Sequence, residues 1–373
     1  MHDTMTVRER WKAALAFKPL DRLPFWPKLS GSYARAQEAP YNAMSIDELH
    51  AFIGSDPHAH VGVWYRAQRS STEIIEHRDA QRWVTIYRAP QGDCRMVRAF
   101  DEGSQAWHPI EFPVKSRDDI GVMLTMYRDA VMERDEEGLA RVHDRVAQVG
   151  EQAYIAATIA ESPLMYWVEH MAGVENAHLF LADYRDEVEE LFDVMHANIC
   201  RMTEIMVEDC PVDALYMCEN TSTTLISPDQ YRRYCMHHIG DYSRITSQAG
   251  CTMILHMCGH LKALLPDIAT LPVQGFEAFT SPTLGNTTLL DGRTDCPEVC
   301  LIGGTNAMLW TRPASAITAQ IAHDLDELPH HRGLVVTSAG VFPPLCTPET
   351  AREVCEWVQA YPARWEAEVA QAG

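Results

Sequence analysis

The sequence predicts an α/β protein built as a single (β/α)8 barrel. From about residue 150 onward, short apolar runs alternate with amphipathic stretches of helical period, the pattern of a parallel sheet with crossover helices. No G-x-G-x-x-G follows the first strand, and the diglycine Gly303-Gly304 does not replace it, so a dinucleotide-binding open sheet has no local support. Residues able to do chemistry gather at the C-terminal ends of successive runs, where barrels carry their sites.

The elements follow in order. Thr6 and Glu9 form a capping box that opens a helix running to about Phe17, ahead of Lys18-Pro19. Residues 21–26 read as a short extended segment. Runs 82–88 and 94–100, joined across Pro90 and Gly92, read as a hairpin, and 116–137 as a charged helix. Then come apolar runs at 154–160, 214–218, 252–256, 275–279, 299–303 and 334–337. Helices are expected at 164–171, 183–210, 227–248, 261–271, 314–326 and 348–361, the third with proline at its first turn. One domain spans 1–373, and 1–150 contributes the N-terminal helix and hairpin as elaborations.

Bulk composition narrows the function classes. Apolar content of 46% with 22% charged residues is that of an ordinary globular chain with mass for a large core. Lys and Arg total 31 against 52 Asp and Glu, a net charge of −21 with no basic stripe, so nucleic acid is excluded as a partner. No apolar run reaches the ~18 residues of a membrane span. The charged N-terminus is no secretory signal and the 11 scattered cysteines are no disulfide framework, so a reducing cytoplasm is expected.

The chemistry centres on His256-Met257-Cys258-Gly259. If 252–258 is extended, Thr252, Ile254, His256 and Cys258 share one face and Met253, Leu255 and Met257 the other. The second face is wholly apolar, whereas the first turns polar at its C-terminal end. Imidazole and thiolate are ligands zinc prefers, and three protein ligands with one open position describe a catalytic zinc. Cys346, on the proline-rich loop between the last strand and last helix, returns to the same rim and supplies the third ligand. Glu219 shares parity with Leu215 and Met217 and is expected to face the pore as a fourth ligand or a general acid/base. Glu161 and Glu277 end other runs and compete for that role. Aromatics at expected rim positions, among them Trp26, Tyr33, Trp64, Trp167, Tyr216, Trp310 and Phe342, suit a flat or apolar ligand.

The opening Thr6-Val7-Arg8-Glu9-Arg10 with Lys18-Pro19-Leu20-Asp21-Arg22-Leu23-Pro24 resembles the uroporphyrinogen decarboxylase superfamily. Leu225-Ile226-Ser227-Pro228 before a long helix, then the His-x-Cys-Gly run, resembles its cobalamin-linked methyltransferase branch. The resemblance covers nearly the whole chain. It implies a TIM barrel and a zinc held by a His-x-Cys pair and a distant cysteine, here His256, Cys258 and Cys346. In that family the distant cysteine directly follows the loop glycine, whereas here Val341 follows Gly340 and Cys346 comes five residues later. The decarboxylases' propionate-gripping Arg-Gln-Ala-Gly-Arg motif is absent from 27–36.

The resemblance therefore implies a zinc-dependent methyltransferase. It takes a methyl group from a small methylated substrate, an O-methyl ether, aryl in the first instance, and passes it to the Co(I) corrinoid (cobalamin) of a separate corrinoid protein. No cobalamin-binding D-x-H-x-x-G motif occurs in the chain. A homodimer is compatible with this assignment. Three alternatives stay open at this point: a methylcobalamin:thiol methyltransferase, a metal-free decarboxylase, and a non-catalytic metal or tetrapyrrole binder.

Overall fold

The computed structural model describes residues 3–103 and 106–366. Eight strands, parallel wherever they pair, form the central sheet: β1 (Phe25–Trp26), β2 (His58–Val61), β3 (Tyr154–Ile159), β4 (Ala214–Cys218), β5 (Thr252–His256), β6 (Gly275–Phe279), β7 (Cys300–Gly304) and β8 (Leu334–Thr337). Their order is β1-β8-β7-β6-β5-β4-β3-β2, which wraps the sheet into a barrel. No ladder pairs β1 with β2, and Asp56 closes that seam instead. Its backbone N–H donates to the Phe25 carbonyl at 2.7 Å, and its carboxylate accepts from the Phe25 N–H at 3.0 Å.

The seam carboxylate is buried and doubly paired. Arg10 donates to it at 2.5 Å, and Arg22 reaches both of its oxygens at 2.7 and 3.0 Å. Asp21 holds Arg10 from the other side at 2.8 Å. Both arginines come from the motif-bearing N-terminal stretch, so those residues serve closure of the barrel.

The N-terminal helix, Val7–Leu15, starts at the Thr6/Glu9 capping box and plugs the N-terminal end of the barrel. Trp11, fully buried, stacks on Tyr154 at 5.3 Å and meets Trp26 edge-on at 5.6 Å. Leu15 lies so close to Gly275 that a Cβ there would sit 2.9 Å from its methyl carbon. The pore-facing residues Tyr154, Ala156, Ala214, Tyr216, Ile254, Cys300, Ile302 and Val335 form one apolar cluster with this helix. The opposite strand faces pack under the helices in a second, larger cluster.

Several sequence expectations shift. The expected hairpin is the centre of a four-stranded antiparallel sheet, 73–78, 82–89, 92–101 and 106–111. The charged stretch 116–137 is not one helix: Arg117–Arg128 is followed by a strand, Val131–Arg134, antiparallel to Tyr65–Gln68. Alternation along 131–134 is too short to stand out beside so many charges. The expected helix 183–210 is Arg185–Glu208, and a separate helix, Val174–Asp183, precedes it. Most of the expected rim aromatics, Tyr33, Trp64, Trp167, Trp310 and Phe342, are fully buried in the cluster under the helices. Among the described residues no helix is long and apolar enough to cross a membrane.

Truncating Asp56 to Ala leaves Arg10 and Arg22 without their shared anion and frees the seam. The expected loss is about 3–5 kcal/mol of unfolding free energy, measured by urea denaturation against the exposed control Glu137→Ala. A midpoint shared by the two variants would show that the seam carries no such load.

Candidate active site at the barrel mouth

Strand register builds the site. Cys218 of β4 pairs with His256 of β5, and His256 pairs with Glu277 of β6, so three side chains stand side by side on the pore face. β5 ends at His256, and Cys258 lies two residues beyond it. The Cys258 thiol lies 3.5 Å from Asn220 Oδ1, and the Cys218 thiol approaches the same oxygen at 3.6 Å. Asn220 takes a left-handed backbone (φ 51°), a conformation asparagine tolerates better than most residues, and this turns its amide across the mouth.

Glu277 is the charged centre. It is fully buried, yet it meets His256 Nδ1 and the Tyr216 hydroxyl, and Lys28 Nζ donates to both of its oxygens at 2.9 and 3.1 Å. Burial opposes its charge, but His256 and Lys28 outweigh that and hold the carboxyl below its ordinary range. Burial likewise opposes a cation at His256, and Glu277 overcomes it, raising the imidazole to about 9.

A second group lies at the rim: Glu161, Glu169 and His170 offer ligand atoms all within 4.8 Å of one another. His170 Nε2 is 3.3 Å from Glu161, and Asn220 Nδ2 donates to Glu169 Oε2 at 3.2 Å. Glu169 Oε1 is buried with no hydrogen-bond partner. Burial first, and the Glu161 charge second, raise Glu169 to about 7. Side-chain exposures of 19% for Lys28, 15% for Glu161 and 32% for His170 show that solvent reaches this mouth.

Two sequence-predicted residues are placed differently. Glu219 does not face the pore: the pore parity on β4 is Ala214, Tyr216 and Cys218, and Glu219 follows the other set. It is fully buried and accepts hydrogen bonds from the Ser162 N–H (2.7 Å) and hydroxyl (2.5 Å), with Cys235 beside that hydroxyl. Burial raises Glu219 to about 8 against the pull of those hydrogen bonds. Cys346 does not join His256 and Cys258. Its backbone carbonyl takes the Tyr33 hydroxyl at 2.9 Å, its thiol is buried in the cluster under the helices, and burial pushes that thiol up to about 12. Among the described residues it enters no group of three ligand atoms within 4.8 Å. Cys346 lies six residues beyond Gly340, and Val341, 65% exposed, takes the position directly after that glycine.

The carboxylate that stands beside His256 is Glu277. Alternation along β6 puts it on the pore face beside His256, a relation that sequence shows only once the register is known. Imidazole, thiol and carboxylate are ligand types zinc takes, but among the described residues His256, Cys258 and Glu277 form no group of ligand atoms within 4.8 Å of one another, and Lys28 donates to both Glu277 oxygens.

Because Glu219 is raised, the folded state holds its proton where the unfolded chain releases it, and the stability this gives is lost as pH rises from about 4.5 toward about 8. Glu219→Gln is expected to flatten that fall in urea-unfolding free energies between pH 5 and pH 8. An unchanged slope would assign the pH dependence elsewhere.

The comparisons agree with the fold. The uroporphyrinogen decarboxylase (URO-D) family model matches residues 134–361. No protein of curated function matches the chain in sequence. Among solved structures it is similar to a methyltransferase from Methanosarcina mazei, at 17% identity and TM-score 0.57, over 95% of this chain and 98% of that one. A D-psicose 3-epimerase aligns over 60% of this chain and 81% of its own at 10% identity and TM-score 0.36, too distant to carry an argument. The family match covers well over half of the chain, strands β3 to β8 included, and the chain belongs to the uroporphyrinogen decarboxylase family.

Proposed function

We propose that this protein is a zinc-dependent methyltransferase that moves a methyl group from a small methylated substrate, an aryl methyl ether in the first instance, to the Co(I) corrinoid of a separate partner protein. The observation that carries the reading is the register of β4, β5 and β6, which lines up Cys218, His256 and Glu277 with Cys258 just beyond at a solvent-reached mouth. Family membership and the overall likeness to the Methanosarcina methyltransferase support it.

His256 and Cys258 would hold the metal, with Glu277 beside His256 as the next donor, and as a Lewis acid the metal would favour negative charge on the departing oxygen. Lys28 and Tyr216 fix the Glu277 carboxylate in the pore wall. Asn220 orients the Cys258 thiol with one end of its amide and Glu169 with the other. Raised to about 7, Glu169 is about half protonated at neutral pH, and its unpartnered Oε1 is the atom placed to give a proton to the leaving oxygen. This role passes to Glu169 from Glu219, which is sealed against Ser162. Lys28, the cation that reaches the pore, is committed to Glu277, which leaves it unavailable to grip the carboxylates of a porphyrinogen.

Metal analysis and a methyl-transfer assay test the reading together. Purified protein is expected to carry zinc, with loss in His256→Ala and Cys258→Ala, weakening in Glu277→Gln and full retention in Cys346→Ala. With reduced cobalamin and aryl methyl ethers, the absorbance of methylcobalamin is expected to grow, and not in the zinc-free variants. Absence of transfer from every ether, amine and thioether offered would refute the function. The rate is expected to fall as pH rises through about 7, and Glu169→Gln to lower it by roughly 100-fold while removing that limb.

A further inference from the structure

We propose that the cavity between the antiparallel sheet and helix Arg117–Arg128 binds a single-ring aromatic carboxylate. This inference does not depend on the methyl-transfer reading, because the cavity lies outside the pore and none of the pore donors lines it.

The cavity has a volume of about 270 Å³. Small-molecule pockets start near ~300 Å³, so it has room for one ring and not for a tetrapyrrole. Its formation follows from the sheet. Alternation places Trp83, Thr85 and Tyr87 on one face, and register brings Arg98 opposite Trp83 on that same face. The same face carries Cys94 and Met96, both buried, with the Cys94 thiol on Asp119 of the helix. Toward Trp83 and Arg98 the sheet stands off, and Tyr127 and Tyr166, hydrogen-bonded to each other, close the far wall.

The walls are therefore aromatic, and the charge among them is positive. Arg98 lies with its guanidinium 4.7 Å from the centre of the Trp83 ring. Arg69 is held by the Met126 carbonyl and, at 3.4 Å, by the Thr72 hydroxyl. Among the described residues neither arginine has a carboxylate within 4.0 Å; both are only part-exposed. Burial lowers the Arg69 pKa, the sign of a cation that pays desolvation without an ion pair. The nearby acid, Asp129, spends its oxygens on Ser70, Ser71 and Thr72. Glu76 also borders the cavity, but it is exposed and accepts from Thr85 at 3.5 Å.

In a chain of net charge −21, two part-buried arginines with no carboxylate within 4.0 Å among the described residues stand out. A carboxylate answers both through charge-assisted hydrogen bonds, and a ring attached to it fills the space between Trp83, Tyr87 and Tyr166 by stacking. An anion without a ring leaves the aromatic walls uncovered, and a neutral ring leaves the arginines unpaired.

The test is calorimetric titration of the full chain with benzoate, benzamide and acetate, with tryptophan fluorescence followed in parallel. Benzoate is expected to bind, with benzamide and acetate at least about tenfold weaker. Arg98→Gln is expected to weaken benzoate about tenfold, Trp83→Phe to remove the fluorescence response, and Cys258→Ala to leave benzoate affinity unchanged. Arg69→Gln repeats the charge test independently should Arg98→Gln fail to fold. Undetectable benzoate binding, equal affinity for benzamide, wild-type affinity in the arginine variants, or loss of binding in Cys258→Ala would each overturn the proposal.

Discussion

A single buried carboxylate decides whether this sheet is a barrel. β1 is two residues long and shares no ladder with β2, so the backbone alone leaves an open edge. Asp56 bridges that edge with its own N–H and with its carboxylate, and Arg10 and Arg22 neutralise it from below. Buried ion pairs are weak sources of net stability, because desolvation consumes most of the Coulombic gain. Their worth here is geometric. With the seam shut, alternation on every strand has an inside and an outside, and each pore position is defined.

The mouth inherits its electrostatics from that definition. Once Glu277 points inward it is surrounded by Lys28, Tyr216 and His256, and a charge that burial alone would neutralise is retained. Two strands away, Glu219 points outward, lacks a cation and is raised to about 8. Two glutamates at the ends of strands on either side of β5 thus differ in ionisation because they sit on opposite faces of one sheet. Glu169 lies between these extremes, partly buried and beside Glu161.

Much of the barrel was legible in the sequence, because six of its strands are apolar runs long enough to separate from the helices around them. β1 and β2 were not: the first reads as a short extended segment before Pro27, and the second carries two histidines in four residues. His256 and Cys258 could be placed because two-residue spacing needs only local geometry. Glu219 was assigned to the pore from parity with Leu215 and Met217, but absolute orientation of a strand buried on both faces is invisible to a pattern that is apolar throughout. Tyr216, a polar group among apolar neighbours, was the signal that the other parity faces inward. Cys346 shows a second limit, since a loop with three prolines has a path that spacing does not reveal.

The helix that fills the lower end of the barrel has a consequence for traffic. With Trp11 and Leu15 wedged among Trp26, Tyr154 and Gly275, the tube is blind, and whatever enters must leave through the same opening. A small molecule admitted first is trapped when something large settles over the rim, and one arriving second finds the door shut. For any reaction needing two partners of unequal size, the shape of the vessel alone imposes an order of arrival and the reverse order of departure.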